Sequence, residues 1–374
     1  METKYSKVKQ AIKSRILDGT YIPNQKIHSE SDLMKEFGVS RHTVRLAIGD
    51  LVTKGWLYRE QGSGTFCADR TKLNQGNNNQ KNIAIVTTFI SDYIFPSIIR
   101  GAESRLSEEG YQVSIFSTNN DQDKEREILE KILSQSFDGI IVEPTKSAYS
   151  NPNISYYLNL ENRGLPYIMI NAYYDELEPI SIIMDDEMGG FLQAEHLIEL
   201  GHTNILGCFK TDDAQGTRRM KGFLKAHRKY GIPLNPKNII TYSTENKKTK
   251  PIEEIEKVIT DKNNQTTGLV AYNDELVIEV LKVLRNRNIK VPDDLSIVGY
   301  DDSLLAEVSE VKLTTIKHPK SEMGKAAAET IIELIKLNTS SSNVDSSNKH
   351  SILYKPELVV RNSTKDVNIV NIPL

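Results

Sequence analysis

This chain of 374 residues has little cysteine and no long hydrophobic segment. Its two cysteines, Cys67 and Cys208, are far apart in the sequence, and neither has another cysteine or a histidine at metal-ligand spacing. This pattern predicts neither a disulfide framework nor a zinc site, and it fits a reducing compartment. No stretch approaches the roughly 20 apolar residues that span a bilayer, and the first ten residues include several charges. We therefore expect a soluble cytoplasmic protein that is neither secreted nor inserted in a membrane.

The short motifs that mark common enzyme classes are also missing. The sequence contains no GxSxG, HExxH or GxxxxGK[ST] pattern, and the GSG at residues 62–64 is without the third glycine and the following helix of a dinucleotide site. The adjacent carboxylates Asp301 and Asp302 could suggest catalysis or metal binding, but we expect Asp302 to cap the helix that follows it. We predict no catalytic residue, no metal ligand and no cofactor.

Charge is distributed unevenly along the chain. Residues 1–70 carry 12 Lys and Arg against 8 Asp and Glu, a local charge of +4, whereas the remaining residues carry 35 against 42, a charge of −7. A small basic module in front of a larger acidic body is the asymmetry expected when one end of a protein contacts a polyanion.

The chain divides into two folded regions joined by a polar segment. Residues 69–81, DRTKLNQGNNNQK, contain one large apolar residue, so they cannot build a core and are predicted to form a flexible linker. After this segment, continuous apolar runs such as IAIVTTF from Ile83 and LSIVGY from Leu295 alternate with helical patterns, as in parallel sheets buried on both faces. We predict an α/β domain of two doubly wound lobes over residues 82–374.

The first part of the chain has the pattern of a helix-turn-helix. Residues 5–17 predict a first helix with one apolar stripe, and Ser29 with Asp32 can form a capping box at the start of a second helix. Gly38 is placed to end that second helix and Ser40 to cap a third, so that the chain turns sharply between them. This spacing is typical of a helix-turn-helix.

The third helix and the segment after it supply candidate DNA contacts. The pattern WLYREQGSGTFCA from Trp56 predicts two short strands around a glycine-rich tip, which would add a wing to a small α+β domain of residues 1–68. Gln61, beside this tip, can hydrogen-bond to DNA. With its apolar stripe buried, the third helix exposes near its start the side chains that a recognition helix offers to bases and phosphates: Arg41, His42 and Arg45.

The motifs of this region resemble a known family of DNA-binding domains. The order IHSESDLMKEFGVSRHTVRLAIGDLVTKGWLYREQGSGTF resembles the winged helix-turn-helix of the GntR family, whose usual pattern is LPSE, then GVSRxTVRxAL, then GxGTF. The match covers residues 4–68, with His28 in place of the usual Pro and Ile48 in place of the usual Leu. For Lys4, an ordinary solvated surface charge is as good an interpretation as a contact with DNA. The resemblance implies double-stranded operator DNA as a partner, bound through Lys4, Glu30, Arg41, His42, Arg45, Gln61 and Gly62.

The larger region contains a series of motifs in a fixed order. Over residues 82–362 these are TTFISDYIFPSIIRGAE, GHTNILGCF, TRRMKGFLKA, AYNDELVIEVL, VPDDLSIVGYDDS and LTTIKHP. Their order resembles that of the LacI/GalR repressors, which share their core with periplasmic sugar-binding proteins. This resemblance implies a periplasmic-binding-protein-like fold with a monosaccharide effector. A GntR module in front of such a domain, together with DYIFPSIIRG and EPTKS, resembles the arabinose repressors of Bacillus-like bacteria and implies L-arabinose. Because a two-fold operator needs a two-fold protein, we also expect a homodimer.

Candidate effector contacts follow the apolar runs, because loops at the carboxyl ends of parallel strands line the crevice of an α/β sheet. A neutral polyol needs polar side chains around it and aromatic faces against its C–H surface. The residues so placed are Tyr93, Phe95, Glu143, Lys146, Asn171, Arg219, Asn273, Asp301 and His318. Family order favours Arg219, Asn273 and Asp301. For Tyr93, Phe95, Glu143, Lys146 and Asn171, the alternative is a role in packing or in a solvated loop. For His318, the alternative is a role in stabilising the crossing between the lobes.

The sequence thus predicts a repressor that a monosaccharide releases from its operator. One alternative is a repressor of another sugar catabolic operon with a different pentose, hexose or sugar phosphate as effector. A sugar-binding protein without DNA binding is a remote alternative, because a helix-turn-helix precedes the sugar domain and no apolar leader is present. An enzyme is equally remote, since a GntR module fused to a pyridoxal-phosphate enzyme needs a longer chain and a different fold.

Overall fold

The molecule has a small amino-terminal α+β domain followed by two α/β lobes. The computed structural model describes residues 3–69, 81–91, 93–261, 265–339 and 351–367. The linker predicted at residues 69–81 lies, apart from its two end residues, outside the described residues. Among the described helices, none has the length and hydrophobicity that a bilayer span requires.

Three helices and a two-stranded hairpin form the amino-terminal domain. The elements are α1 Lys4–Leu17, α2 Glu30–Phe37, α3 Arg41–Thr53, β1 Leu57–Glu60 and β2 Gly64–Cys67. Ser29 and Asp32 form the predicted capping box at the start of α2, and Gly38 ends that helix in the left-handed conformation at φ 60°. Ser40 caps α3, and β1 pairs with β2 in antiparallel register. The helix-turn-helix and the wing are therefore confirmed.

The first lobe is a parallel sheet between two layers of helices. Its elements are β3 Asn82–Thr87, α4 Phe95–Glu108, β4 Gln112–Ser117, α5 Gln122–Ser134, β5 Gly139–Val142, α6 Ile154–Asn162, β6 Tyr167–Ile170, β7 Ser181–Met184, α12 Lys320–Thr339 and β13 Ile352–Tyr354. The strand order is β13-β7-β6-β5-β3-β4, so the order reverses between β3 and β5. Ile140 and Val142 pack in the cluster that includes α5 and α6, whereas Ile141 packs with α4 and α12. Burial on both faces explains the continuous apolar runs.

The second lobe repeats this winding. Its elements are α7 Asp186–Glu199, β8 Ile205–Lys210, α8 Ala214–Tyr230, β9 Ile239–Tyr242, α9 Lys250–Thr260, β10 Gly268–Ala271, α10 Asp274–Asn286, β11 Ser296–Asp301, α11 Leu304–Val308, β12 Thr314–Lys317 and β14 Glu357–Val359. The strand order is β14-β12-β11-β10-β8-β9, with β14 antiparallel to β12 and the reversal between β8 and β10. Single-turn 3₁₀ helices occur at Pro236–Asn238 and Thr244–Asn246 in this lobe and at Asp175–Leu177 in the first lobe. The two doubly wound lobes are confirmed.

Within the described residues the chain passes between the lobes after β7, after β12 and between β13 and β14. These crossings place the carboxyl ends of both sheets on the two sides of one crevice, where α/β proteins bind ligands. The prediction that Asp302 caps the next helix is wrong. The residue before α11 is Ser303, and Asp302 forms an ion pair with Arg361 at 2.7 Å instead.

Candidate functional site

A cavity lies between the two lobes at the carboxyl ends of both sheets. Loops after β3, β5 and β6 supply its first side, and loops after β8, β10 and β11 supply its second. The structure brings eight of the nine predicted effector residues together in its lining, namely Tyr93, Phe95, Glu143, Asn171, Arg219, Asn273, Asp301 and His318. The ninth residue, Lys146, is not part of this lining.

Arg219 is the buried cation at the centre of the cavity wall. Its Nε donates to Asp186 Oδ1 at 2.8 Å, and its Nη1 donates to the carbonyl oxygen of Tyr272 at 2.8 Å. Its Nη2 lies 3.7 Å from Asp301 Oδ1, and the guanidinium carbon stands 3.4 Å from the ring centroid of Tyr300. These contacts fix the guanidinium before any ligand binds, which lowers the entropy lost on binding.

Four buried polar atoms of the cavity lining have no hydrogen-bond partner among the described residues. They are Asp186 Oδ2, Gln215 Oε1, Asp301 Oδ1 and His318 Nδ1. Most buried polar atoms in proteins are hydrogen-bonded, so this concentration marks a surface that a polar ligand would complete.

The protonation of His318 decides what its unpartnered nitrogen can do. Burial lowers the pKa of His318 to about 3, so the ring is neutral at pH 7. Its Nε2 lies 3.3 Å from Asn171 Oδ1, and the amide nitrogen of Asn171 already donates to Glu143. We assign the proton to Nε2, which donates to Asn171 and leaves Nδ1 as an acceptor. All four unpartnered atoms are therefore acceptors.

Glu143 anchors the first-lobe side of the cavity. Its Oε2 accepts from the backbone nitrogen of Thr88 at 2.8 Å and from Thr88 Oγ1 at 2.6 Å, while its Oε1 accepts from Asn171 Nδ2 at 3.0 Å. Burial raises the pKa of this carboxyl group, and the three donors oppose that shift. Glu143 therefore orients Asn171, which in turn orients His318.

Aromatic rings form two walls of the cavity. Phe89 and Phe95 of the first lobe have ring centroids 6.0 Å apart, and Tyr242 and Tyr272 of the second lobe have centroids 6.1 Å apart. Such ring faces suit the C–H surface of a sugar, whereas the polar groups between them suit its hydroxyls.

The sequence reasoning missed several lining residues, although the same rule about strand ends would have found most of them. Lys210 is the last residue of β8, Asp213 caps α8, and Tyr272 directly follows β10. The other missed lining residues with polar or aromatic side chains are Thr88, Phe89, Asn120, Asp186, Gln215, Tyr242, Lys247 and Glu275.

Backbone conformation is a second signal for the cavity. Tyr93, Asn171 and Asp301 have φ values of 59°, 63° and 96°, which residues other than glycine rarely adopt. Such residues often cluster at functional sites, because the surrounding structure must hold them in place.

Polar contacts across the mouth of the cavity hold the lobes together. Lys146 Nζ lies 2.8 Å from Glu245 Oε1, and Asn120 Nδ2 donates to Asp212 Oδ2 at 3.1 Å and to Thr244 Oγ1 at 2.7 Å. Each contact joins a residue of the first lobe to one of the second. The cleft is thus closed, and Lys146 is placed to hold it closed.

Most of the predicted DNA contacts are exposed in the amino-terminal domain. Lys4 begins α1, Arg41 and His42 begin α3, and Gln61 and Gly62 form the wing tip; all five are exposed. Half-buried Glu30 begins α2, and its Oε1 lies 3.4 Å from Nε of Arg45, whose side chain is 63% exposed. A single surface pair of this kind contributes little to stability, so it leaves Arg45 available for DNA.

Two family models match parts of the chain. Bacterial regulatory proteins of the gntR family match residues 4–67, and a periplasmic binding protein-like domain matches residues 194–364.

Three similar proteins cover most of the chain. The arabinose metabolism transcriptional repressor of Halalkalibacterium halodurans is 59% identical over 98% of both chains. The arabinose metabolism transcriptional repressor of Geobacillus stearothermophilus is 49% identical over 97% of this chain and 98% of its own. Among solved structures, a LacI family transcriptional regulator from Enterococcus faecium with bound ribose has a TM-score of 0.64 at 25% identity, over 77% of this chain and 100% of that one.

Proposed function

Because this chain belongs to the family of the arabinose metabolism transcriptional repressors, we propose that it leaves its operator when L-arabinose binds between its two lobes. The GntR and LacI/GalR resemblances predicted from the sequence are confirmed. Like its relatives, the protein is a DNA-binding transcriptional repressor and not an enzyme.

The four buried acceptor atoms carry the proposal for the ligand. A ligand that completes them must bring several hydrogen-bond donors into a confined, partly aromatic cavity, and hydroxyl groups on a small ring do this. Asp186 and Asp301 each supply one acceptor, and Arg219 between them supplies donors to a sugar oxygen. These residues, with His318 directly after β12, are the proposed core of the site.

The charges around the cavity favour a neutral sugar over a phosphorylated one. Arg219 is paired with Asp186 and Asp301, and Lys210 is paired with Asp212 at 3.3 Å and Asp213 at 2.8 Å. Each of these buried cations thus already has two carboxylates beside it. A phosphate group would meet an excess of negative charge, so we place free L-arabinose ahead of sugar phosphates.

The proposed release mechanism follows from the two-lobed site. A sugar held by Arg219 and Asp301 on one side and by Asn171 and Glu143 on the other binds the closed form more tightly than an open form. It can shift the equilibrium only by that difference in affinity. Closure moves the lobes relative to each other and so re-spaces the two DNA-binding domains of a dimer. Sugar and operator must then weaken each other's binding by the same factor.

The exposed surface of the amino-terminal domain is the proposed DNA contact. Arg41 and Arg45, at the start of α3, would contact base edges or phosphates in the major groove, with His42 close by. Gln61 and Gly62 would approach the backbone or the minor groove from the wing tip. Lys4 would contact a phosphate and Glu30 would orient Arg45, with residues 1–68 as the DNA-binding unit.

A homodimer is the proposed assembly. Residues 82–374 would bind the sugar and hold the pair together, because only this part of the chain offers a surface large enough. The second lobe exposes apolar side chains on α11, where Leu304 is 72% and Val308 67% exposed, and on the segment after β14, where Val360 is 61% exposed. A fragment that starts at Lys81 should therefore sediment as a dimer, and sedimentation as a monomer would contradict this assignment.

A calorimetric titration of the full chain tests the ligand proposal. L-Arabinose should bind at one site per chain, whereas D-xylose, D-galactose and arabinose 5-phosphate should bind more weakly or not at all. Binding of the phosphate ester in preference to the free sugar would contradict the charge argument. The absence of binding by every sugar tested would overturn the proposed ligand class.

A further inference from the structure

The DNA-binding domain packs against the first lobe through the end of α1. Asn159 of α6 donates from Nδ2 to the carbonyl oxygen of Leu17 at 2.6 Å. One turn earlier, Ser14 Oγ lies 2.9 Å from the hydroxyl of Tyr156 and 3.0 Å from Glu130 Oε1, and that hydroxyl donates to Glu130 at 2.9 Å. Tyr156 belongs to α6 and Glu130 to α5. These two helices therefore form a platform under α1.

The contact has the burial of a protein interior. Asn159 is 8% exposed and Tyr156 4%, while Ile16 and Leu17 are 4% and 0% exposed. Ile16, Leu17 and Tyr156 belong to one continuous apolar cluster that extends from the DNA-binding domain into the first lobe. The last carbonyls of a helix have no intrahelical partner, and Asn159 satisfies one of them at the end of α1.

The packed arrangement leaves the proposed DNA contacts exposed. Arg41, Arg45 and Gln61 all remain exposed while α1 lies on the platform. The contact therefore does not cover the DNA-reading surface. It fixes the position of that surface relative to the first lobe, whereas a domain held only by its linker could adjust to a DNA half-site.

A buried carboxylate connects the platform to the cavity. Glu125 of α5 is 0% exposed and accepts from the hydroxyls of Tyr157 at 2.8 Å and Tyr174 at 2.7 Å, and from Asn153 Nδ2 at 2.8 Å. The hydroxyl of Tyr174 in turn accepts from the backbone nitrogen of Thr145 at 2.7 Å. Several charge-assisted hydrogen bonds to one buried carboxylate make a rigid unit. Helices α5 and α6 therefore move together with the loop after β5.

That loop is part of the closed cleft. Glu143 lines the cavity, Lys146 pairs with Glu245 across its mouth, and the backbone nitrogen of Lys146 donates to Asn120 Oδ1 at 2.7 Å. Asn120 directly precedes Asp121, the residue that caps α5. Asn120 thus leads directly into α5, and the loop that carries Lys146 continues to α6.

We infer that this face of α5 and α6 is a docking surface for the chain's own DNA-binding domain, and that closing the cleft around a sugar strengthens docking. The second half of this inference rests on the proposed function. The structure shows the cleft closed and the domain docked at the same time. A ligand that favours the closed cleft therefore favours docking by the same coupling factor. Docking opposes operator binding because a docked domain cannot adjust its spacing to the DNA.

Hydrogen exchange of the full chain tests the docking surface. The variants Asn159→Ala and Tyr156→Phe change only the first lobe. Asn286→Ala on α10 and Tyr149→Phe make the same substitutions at exposed positions. Loss of one buried hydrogen bond should raise the open population, and with it exchange over residues 14–22, about tenfold in each docking variant. The exposed controls and helix α3 should exchange as in wild type. Wild-type exchange over residues 14–22 in both docking variants, or an equal rise in α3, would overturn docking.

Arabinose separates the docking surface from its coupling to the cleft. Calorimetry first establishes whether arabinose binds to each variant. At saturation, exchange over residues 14–22 should slow in wild type, and Asn159→Ala should bind arabinose yet keep more of its operator affinity than wild type does. If arabinose binds and exchange does not slow, the coupling is refuted. If arabinose does not bind, the proposed function fails, and the exchange of the variants without sugar still decides the docking surface.

Discussion

Replacing Arg219 with alanine should abolish sugar binding and destabilise the sugar-binding domain in the same step. The guanidinium is buried and lies 2.8 Å from Asp186 Oδ1 and 3.7 Å from Asp301 Oδ1. Removing one partner of a buried ion pair leaves an uncompensated charge and costs about 3 to 5 kcal/mol. Loss of the contact with the ring of Tyr300 adds to this cost.

A second substitution separates the two effects. In the double variant Arg219→Ala with Asp186→Asn, the orphaned carboxylate becomes a neutral amide of nearly the same volume. We expect this change to restore about 1 to 3 kcal/mol of stability, because an amide is less costly to bury than an unpaired charge. Sugar affinity should stay lost, since the donors of Arg219 are still absent. Arg228→Ala on the same helix is the matched control, because Arg228 is exposed.

Urea unfolding followed by circular dichroism measures the stability of these variants, and calorimetric titration with L-arabinose measures their binding. An Arg219→Ala variant as stable as Arg228→Ala would refute the argument from the buried charges. Wild-type arabinose affinity in the folded double variant would refute the assignment of the site.

Three further predictions concern DNA binding, cleft closure and pH. Arg45→Ala should weaken operator binding by about 1 to 3 kcal/mol in a fluorescence anisotropy titration and leave arabinose affinity unchanged. An operator affinity equal to that of wild type would show that this part of α3 does not contact DNA. Lys146→Ala should lower arabinose affinity only a few-fold, because a partly exposed ion pair with Glu245 contributes up to about 1 kcal/mol, and Glu245→Ala should match it. A loss of a hundredfold in Lys146→Ala alone would show that Lys146 contacts the sugar. Burial raises the pKa of Asp274 from 3.8 to about 7, so its contribution to stability is full below about pH 4 and is lost as the pH rises through 7. The urea concentration at the unfolding midpoint should therefore fall less between pH 4 and 7 in Asp274→Asn than in wild type. The same dependence of this midpoint on pH in both proteins would contradict the raised pKa of Asp274.

Local sequence signals were sufficient for most of the fold. The capping box of Ser29 and Asp32 and the cap at Ser40 act within four residues, so the helix-turn-helix can be located from the sequence alone. The strand GIIV at Gly139–Val142 is buried at every position, and its continuous apolar run indicates a parallel sheet. The Asp302 prediction failed because its partner, Arg361, is 59 residues away in the chain.

The site was predictable where it depends on strand ends and unpredictable where it depends on tertiary contacts. Lys146 follows β5 closely, but its backbone has φ 46° and its side chain reaches Glu245 instead of the cavity. Asp186 joins the site because α8 places Arg219 beside it, and no local pattern indicates this contact. The docking surface gave no sequence signal either, since Asn159 caps Leu17 across 142 residues.

The central claim is that sugar and operator oppose each other through one protein. The most direct test uses the full chain bound to a fluorescent operator duplex, obtained by selection from random DNA, and titrates L-arabinose into the complex. Anisotropy should fall as arabinose binds, and the factor by which arabinose weakens operator binding should equal the factor by which operator weakens arabinose binding. A complex that stays intact at an arabinose concentration shown by calorimetry to saturate the protein would contradict the account.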